Sequence, residues 1–162
     1  MKIESTRFGT LEIDENKVIG FPKGLIGFPE EKSFIMVHHR GTDSIAWLQS
    51  TLTPSLALPV VSVHQFAPSY PDVPLDQAAE RAGLQGSPEN MAALVVLCAT
   101  PGVPATVNLA APIIVDSERW TGVQTILEGT KYSTREVFVV PAAATKPSDG
   151  AGASVTSTPS AP

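Results

Sequence analysis

The chain is short of everything that covalent staples would need. Among its 162 residues there is one cysteine, Cys98, so no internal disulfide can form and the fold must rest on a buried core. A chain of this length can supply one, hiding about 70% of the surface that it exposes when unfolded. Cys98 lies in the apolar run from Ala92 to Ala99 with no basic neighbour, and it reads as a small buried hydrophobe. Charge is sparse at 17% of residues, with a formal net value of −5. The acids are scattered as the pairs Asp14-Glu15 and Glu30-Glu31 and as single residues. This balance disfavours direct binding to nucleic-acid phosphate. It favours encounter with a basic protein, because opposite fields raise association rates. No uncharged apolar stretch reaches about eighteen residues, so no membrane span is expected. Met1 to Arg7 has no apolar signal-peptide core, and a cytoplasmic location is expected.

Catalytic groups are equally scarce. Neither a G-x-S-x-G nucleophile elbow nor a G-x-x-x-x-G-K-[ST] phosphate loop occurs, and the spacing of Gly20, Gly24 and Gly27 is not that of a dinucleotide-binding turn. Of the three histidines, His38 and His39 are neighbours on an expected strand, where adjacent side chains point to opposite faces. No cysteine or carboxylate stands at ligand spacing beside them. The acid pairs fall in expected turns, where hydration keeps carboxylates ionised and makes them poor general acids. No catalytic residue, metal or cofactor is therefore assigned.

What the chain does have is short strand patterns broken by turn residues. Leu11 and Ile13 alternate with Glu12 and Asp14. Phe34 and Met36 alternate with Ile35 and Val37, and Val123, Thr125 and Leu127 alternate with Gln124 and Ile126. At Ile45–Leu48, Val60–Val63 and Leu94–Leu97 both parities are apolar, which predicts strands covered on both faces. Pro59 cannot donate to a ladder and belongs at a strand start or an edge. From Pro74 to Gly83 the period changes: Leu75, Ala78, Ala79 and Ala82 share a helical face, Pro74 suits the first turn and Gly83 the position after the last. A second helical turn begins at Ser87, whose hydroxyl can cap it, with Pro88 next. The fold class is mainly β: a small antiparallel barrel-like domain with one or two short inserted helices. It spans residues 1–140. Residues 141–162, rich in Ala, Pro, Ser and Thr, lack the apolar residues that would offset ordering entropy, and read as a disordered tail.

The ten aromatics divide by position. Phe8, Phe34, Trp47 and Phe138 have strand-like apolar neighbours and read as core. Phe21 and Phe28 flank the glycine-rich loop, and Phe66 and Tyr70 lie in a proline-rich stretch; for these four, core staple and exposed anchor both stand open. Phe21-Pro22-Lys23-Gly24 suits a β-turn with proline setting the second position, and Gly24 and Gly27 permit left-handed φ.

Three segments carry a resemblance: Gly20–Phe34, Trp47–Ser50 and Asn108–Val115. In this order and spacing they are similar to the FliW family of flagellar assembly factors, over roughly residues 1–140. The resemblance implies a small β-barrel with no catalytic activity. It implies a protein that binds flagellin and also binds the RNA-binding translational regulator CsrA, away from that regulator's RNA surface, so that flagellin translation is coupled to export. Among the matching positions, Gly20, Gly24, Gly27, Gln49, Asn108 and Pro112 are assigned to shape, with the Asn108 amide satisfying backbone groups ahead of Ile113–Val115. Leu25 and Ile26, at the loop tip, are the expected exposed contacts. Phe28, Phe66 and Tyr70 join them as partner-binding candidates, with Glu30, Glu31 and Asp72 as a polar rim. Two positions depart from the family pattern: His64-Gln65 stands where Asp-Pro is frequent, and Ala110 where a longer, often basic side chain is. Two other functions compete. One is a barrel that binds a carbohydrate or other ligand through Trp47, Phe66 and Tyr70. The other is a hydrolase dependent on His64, against which stands the lack of a convergent base and nucleophile.

Overall fold

Strands that are apolar on both parities need cover on both faces, and the architecture provides it. The structure, a computed structural model, describes residues 1–39, 45–63, 75–127, 132–138 and 153–155. The chain opens with a separate hairpin, β1 (Lys2–Ser5) and β2 (Gly9–Glu12). The strands β3 (Ile19–Gly20), β4 (Ser33–His39), β5 (Ile45–Ser50), β6 (Ala57–Ser62) and β7 (Met91–Cys98) then pair in sequence or across the helical insert. After the short β8 (Thr106–Val107) come β9 (Ile113–Asp116) and β10 (Thr121–Gln124). β7 pairs with both β6 and β9, and β10 returns to β3, so seven strands close into a barrel. All of these pairings are antiparallel except β10 with β3, which run parallel through Thr121 and Gly20. Closure removes most of the free sheet edge that a small β domain would otherwise expose.

Three clusters explain the sequence pattern. Inside the barrel lie Ile19, Phe21, Phe34, Met36, Leu48, Val60, Leu94, Ile113 and Val115. The opposite parity of β4 places Ile35 and Val37 outside, where the β1–β2 hairpin covers them with Ile3, Leu11 and Ile13. Trp47 shares this outer face, half-buried, with Phe8 edge-on at 5.9 Å and the Arg7 guanidinium 4.3 Å above its ring. On the other side, Val61, Ala93, Val95, Ile114 and Val123 face outward under Ala78, Ala79 and Leu84. The helix α1 (Leu75–Arg81) supplies this second cover. It ends as its sequence predicts: Gly83 has φ 98°, its N–H donates to Glu80 O, and Leu84 N–H reaches back to Ala79 O. These paired bonds satisfy the last carbonyls of the helix. Asp72 and Pro74 lie outside the described residues.

Several expectations need refinement. Pro59 is third in β6, opposite Trp47, but the pairing of β6 with β7 starts one residue later at Val60, so its missing N–H costs no ladder bond. The turn after Ser87 is a single 3-10 turn, Pro88–Asn90, and the Ser87 hydroxyl makes no capping bond. Cys98 is exposed, not buried. It ends β7 two residues beyond Val96, so its side chain projects past the rim of the barrel. Within the tail, Ala153–Val155 is placed as β12, antiparallel along Val37–His39 of β4; the rest of 141–162 lies outside the described residues. Two-residue β11 (Glu136–Val137) pairs with β8 and forms an outer edge. No helix of the described residues is long and apolar enough to cross a membrane.

Candidate functional site

The ends of β3, β5, β7 and β10 and the starts of β4 and β6 meet at one rim of the barrel, and three loops build on it. The first joins β3 to β4. Gly24 N–H donates to Phe21 O at 2.8 Å, closing the expected proline turn. Leu25 and Phe28 then exchange both backbone bonds, at 3.1 and 2.7 Å, which leaves Ile26 and Gly27 as the two central residues of a tight turn. Gly27 has φ 89°, the left-handed value such a turn demands at its second central position. Gly24 has φ 68°, and a Cβ there would sit 2.6 Å from Phe28 O, so no other residue fits.

This geometry separates Leu25 from Ile26. Leu25, expected as an exposed contact, is 3% exposed and packs in the interior cluster with Phe21 and Phe34. The reason is local: Leu25 is the inner corner of the turn, directly above the open end of the barrel. Ile26, at the apex, is 51% exposed, and Phe28 is 38% exposed. Phe21 is a core staple, edge-on to Phe34 at 5.4 Å. Lys23 ties the loop to the helix through a 2.9 Å bond from Nζ to Ala82 O.

The second loop, between β5 and β6, is braced from below. Gln49 is fully buried. Its Oε1 accepts from Ser5 Oγ at 2.8 Å, and its Nε2 donates to Ser50 O, Thr53 O and Pro54 O at 3.0 to 3.3 Å. Ser50 Oγ accepts from the N–H groups of Leu52 and Thr53. Glu31 completes the brace, accepting from Ser50 Oγ at 2.7 Å and from Thr53 Oγ1 at 2.6 Å. Expected as a free rim charge, Glu31 has both oxygens engaged within the fold, because the Gly24–Gly27 turns bring it beside Ser50. Glu30 is exposed. At the tip of this braced loop Leu52 is 73% exposed.

Between the glycine loop and the chain around β8 lies a groove of about 700 Å³. Its floor is Leu58 and Val96, which continue the interior cluster, and Ile26 and Phe28 form one wall. Val103 and Val137, 58% and 60% exposed, form the other. Cys98, Asn108 and Gln124 also line it, and among the described residues Arg135 is its one charged group. Asn108 Oδ1 accepts from Ala110 N–H at 3.0 Å, which shapes the entry to β9, and Pro112 O accepts from Thr125 N–H. Gly20 lies in the barrel wall, its N–H donating to Trp120 O.

Of the partner-binding candidates, Ile26 and Phe28 meet in this groove, and Leu25 and Glu31 do not. Phe66, Tyr70 and Asp72 lie outside the described residues, as does His64. Trp47 is under the N-terminal hairpin and does not line the groove. Among the described residues no three His, Cys, Asp or Glu side chains are grouped to hold a metal. Sequence reasoning missed Leu58, Val96, Val103, Val137, Cys98 and Gln124. The alternation around Val123 did place Gln124 on the opposite face, but a single strand does not reveal that this face looks into a barrel mouth.

Comparison with known proteins bears on this arrangement. The family model described as FliW protein matches residues 2–138. A flagellar assembly factor FliW of Geotalea uraniireducens is 38% identical over 138 residues, covering 85% of this chain and 84% of the relative. Its counterpart in Heliobacterium modesticaldum is 32% identical over 155 residues, covering 94% and 99%. Among solved structures, a crystal structure of the flagellar assembly factor FliW superposes with a TM-score of 0.71 at 31% identity, covering 85% of this chain and 96% of the other.

Proposed function

The chain belongs to the FliW family of flagellar assembly factors, and on that premise we propose that it is a non-catalytic cytoplasmic binding protein for flagellin and for the RNA-binding regulator CsrA. The observation that carries this reading is the groove at the barrel mouth. Side chains as apolar as Ile26, Phe28, Val103 and Val137 stand exposed around one concavity, and such clusters mark protein contact surfaces. We assign the groove to flagellin. The chain's charge of −5 suits encounter with a basic regulator. Held by flagellin, the protein leaves the regulator free to act on its message; released on export of flagellin, it takes the regulator up. If it binds the regulator away from the RNA surface, the coupling is reciprocal, and bound RNA weakens its affinity by the same factor.

Cys98 provides a direct test, since the sole thiol lines the groove and is exposed. Purified flagellin should bind the full chain in calorimetry and slow alkylation of Cys98 by about tenfold or more at saturation. Failure of either partner to bind at any salt concentration would overturn the reading. Binding of flagellin with unchanged alkylation would keep the function and move the site. A volume of about 700 Å³ also falls within the range of small-ligand pockets, and this supports the second reading, a ligand-binding barrel. A small molecule that protects Cys98 while flagellin does not would favour it.

A further inference from the structure

We infer that Gln124 is the positioning residue of this groove: its carboxamide clamps the Ile26 turn to the segment before β9 and so fixes where Ile26 and Phe28 stand. The inference deepens the proposed partner surface and rests on that reading for its consequence in binding, though not for its geometry.

In the tight turn from Leu25 to Phe28 the inner donors and acceptors satisfy each other. The N–H of Ile26 points away from them and has no partner within the turn. Gln124 Oε1 accepts from it at 2.8 Å, from 98 positions along the chain. The other end of the same carboxamide, Nε2, donates to Ala111 O at 3.0 Å. One planar group therefore bridges a donor on one wall and an acceptor on the opposite segment. Only one orientation of the amide serves both, because a flipped group would set N–H against N–H and oxygen against oxygen.

Each anchor of the bridge is itself held. Gln124 pairs with Ile113 in the β9–β10 ladder, and its neighbour Val123 is packed under α1's cluster. The Ala110–Ala111 segment is shaped by Asn108, whose own N–H donates to Val96 O at 3.1 Å. On the other side, Leu25 is sunk in the barrel. The apex between these fixed points still has one loose coordinate, the swing of Ile26 and Gly27 about the Leu25–Phe28 bonds, and the carboxamide removes it. An apolar anchor fixed before binding loses less freedom when a partner arrives. The clamp also joins two of the three segments on which the family resemblance rests, Gly20–Phe34 and Asn108–Val115.

The test compares full-length wild type with Gln124→Ala and Gln124→Asn, the latter keeping an amide one methylene too short to span both partners. Amide exchange is followed at Ile26 by NMR, with Val95 on β7 as the internal reference. Exchange at Ile26 should rise about tenfold or more in both variants while Val95 is unchanged, and flagellin should bind about tenfold more weakly. Gln124→Glu, which keeps the acceptor but sets a carboxylate oxygen against Ala111 O, should restore protection at Ile26 only in part. Unchanged exchange at Ile26 in both Gln124→Ala and Gln124→Asn would overturn the inference. Faster exchange with wild-type flagellin affinity would overturn its binding consequence. Faster exchange in a protein whose wild type binds no flagellin would uphold the clamp and sink the partner assignment instead.

Discussion

Two loops on the same rim of this barrel treat polarity in opposite ways. Around the β5–β6 loop, polar groups go inward: Gln49 is fully buried, Ser50 Oγ takes the N–H groups of Leu52 and Thr53, and Glu31, reaching over from the end of the β3–β4 loop, accepts from Ser50 and Thr53 hydroxyls. In the β3–β4 loop, apolar groups come outward: Ile26 and Phe28 stand in a groove with Val103 and Val137. A buried carboxamide with all its bonds made specifies shape, because any other arrangement leaves carbonyls unpaired. An exposed cluster of apolar side chains adds little to folding and is explained by what covers it. The inversion thus separates scaffold from contact surface on one rim of the barrel.

The sharpest way to break that separation is inside a single turn. Leu25→Ala removes a side chain that is 3% exposed and should destabilise the protein by about 2–5 kcal/mol, the usual range for a buried leucine, measured by urea unfolding. A change below about 1 kcal/mol would mean that Leu25 is not core. Next comes Gln49→Ala. Ser50 O and the Ser5 hydroxyl proton lose their partner, while Thr53 O and Pro54 O keep the N–H groups of Leu56 and Thr6, so a loss of about 1–3 kcal/mol is expected. Flagellin affinity of the folded fraction should be retained. If affinity falls and stability does not, the braced loop is itself a contact surface.

These two residues also mark how far the sequence could be read. Its apolar residues on both parities at Ile45–Leu48, Val60–Val63 and Leu94–Leu97 correctly implied strands covered twice, because burial on each face is a local property of composition. The helix and its glycine stop were legible for the same reason. Gln49 was assigned to shape through resemblance, yet its partners beyond the neighbouring Ser50 were not legible, since they come from the first hairpin and from the loop beyond. Leu25 and Ile26 are chemically alike neighbours, and only the turn's orientation over the barrel mouth distinguishes them. Cys98 was misread because its run of apolar neighbours gives no sign of where the strand leaves the barrel. The internal bonds of Glu31 were not legible because its hydroxyl partners, Ser50 and Thr53, lie a strand pair away.

On the contact side, Ile26→Ser and Val103→Ser replace residues that are 51% and 58% exposed. Each should change stability by no more than about 0.5 kcal/mol, as surface substitutions do. Each should weaken flagellin binding by about tenfold, a loss of about 1.4 kcal/mol, read by calorimetry. If both variants bind like wild type, the groove is not the flagellin surface and the contrast between the loops loses its functional meaning.

The smallest effect is expected where the two loops come closest to resembling each other. Leu52, at 73% exposed, is an aliphatic residue on the braced loop, held out by Ser50 Oγ accepting from the N–H groups of Leu52 and Thr53. It does not line the groove. An isolated exposed leucine is ordinary on a protein surface and calls for no partner, so Leu52→Ser should leave stability within about 0.5 kcal/mol and flagellin affinity within about twofold of wild type. Should affinity for flagellin fall tenfold, the contact surface extends from the mouth across the rim, and the brace of Gln49 and Glu31 becomes a device for presenting an anchor. Should affinity for the regulator alone fall, the two loops serve two partners, and flagellin and the regulator will be found bound together in one complex rather than in exclusion.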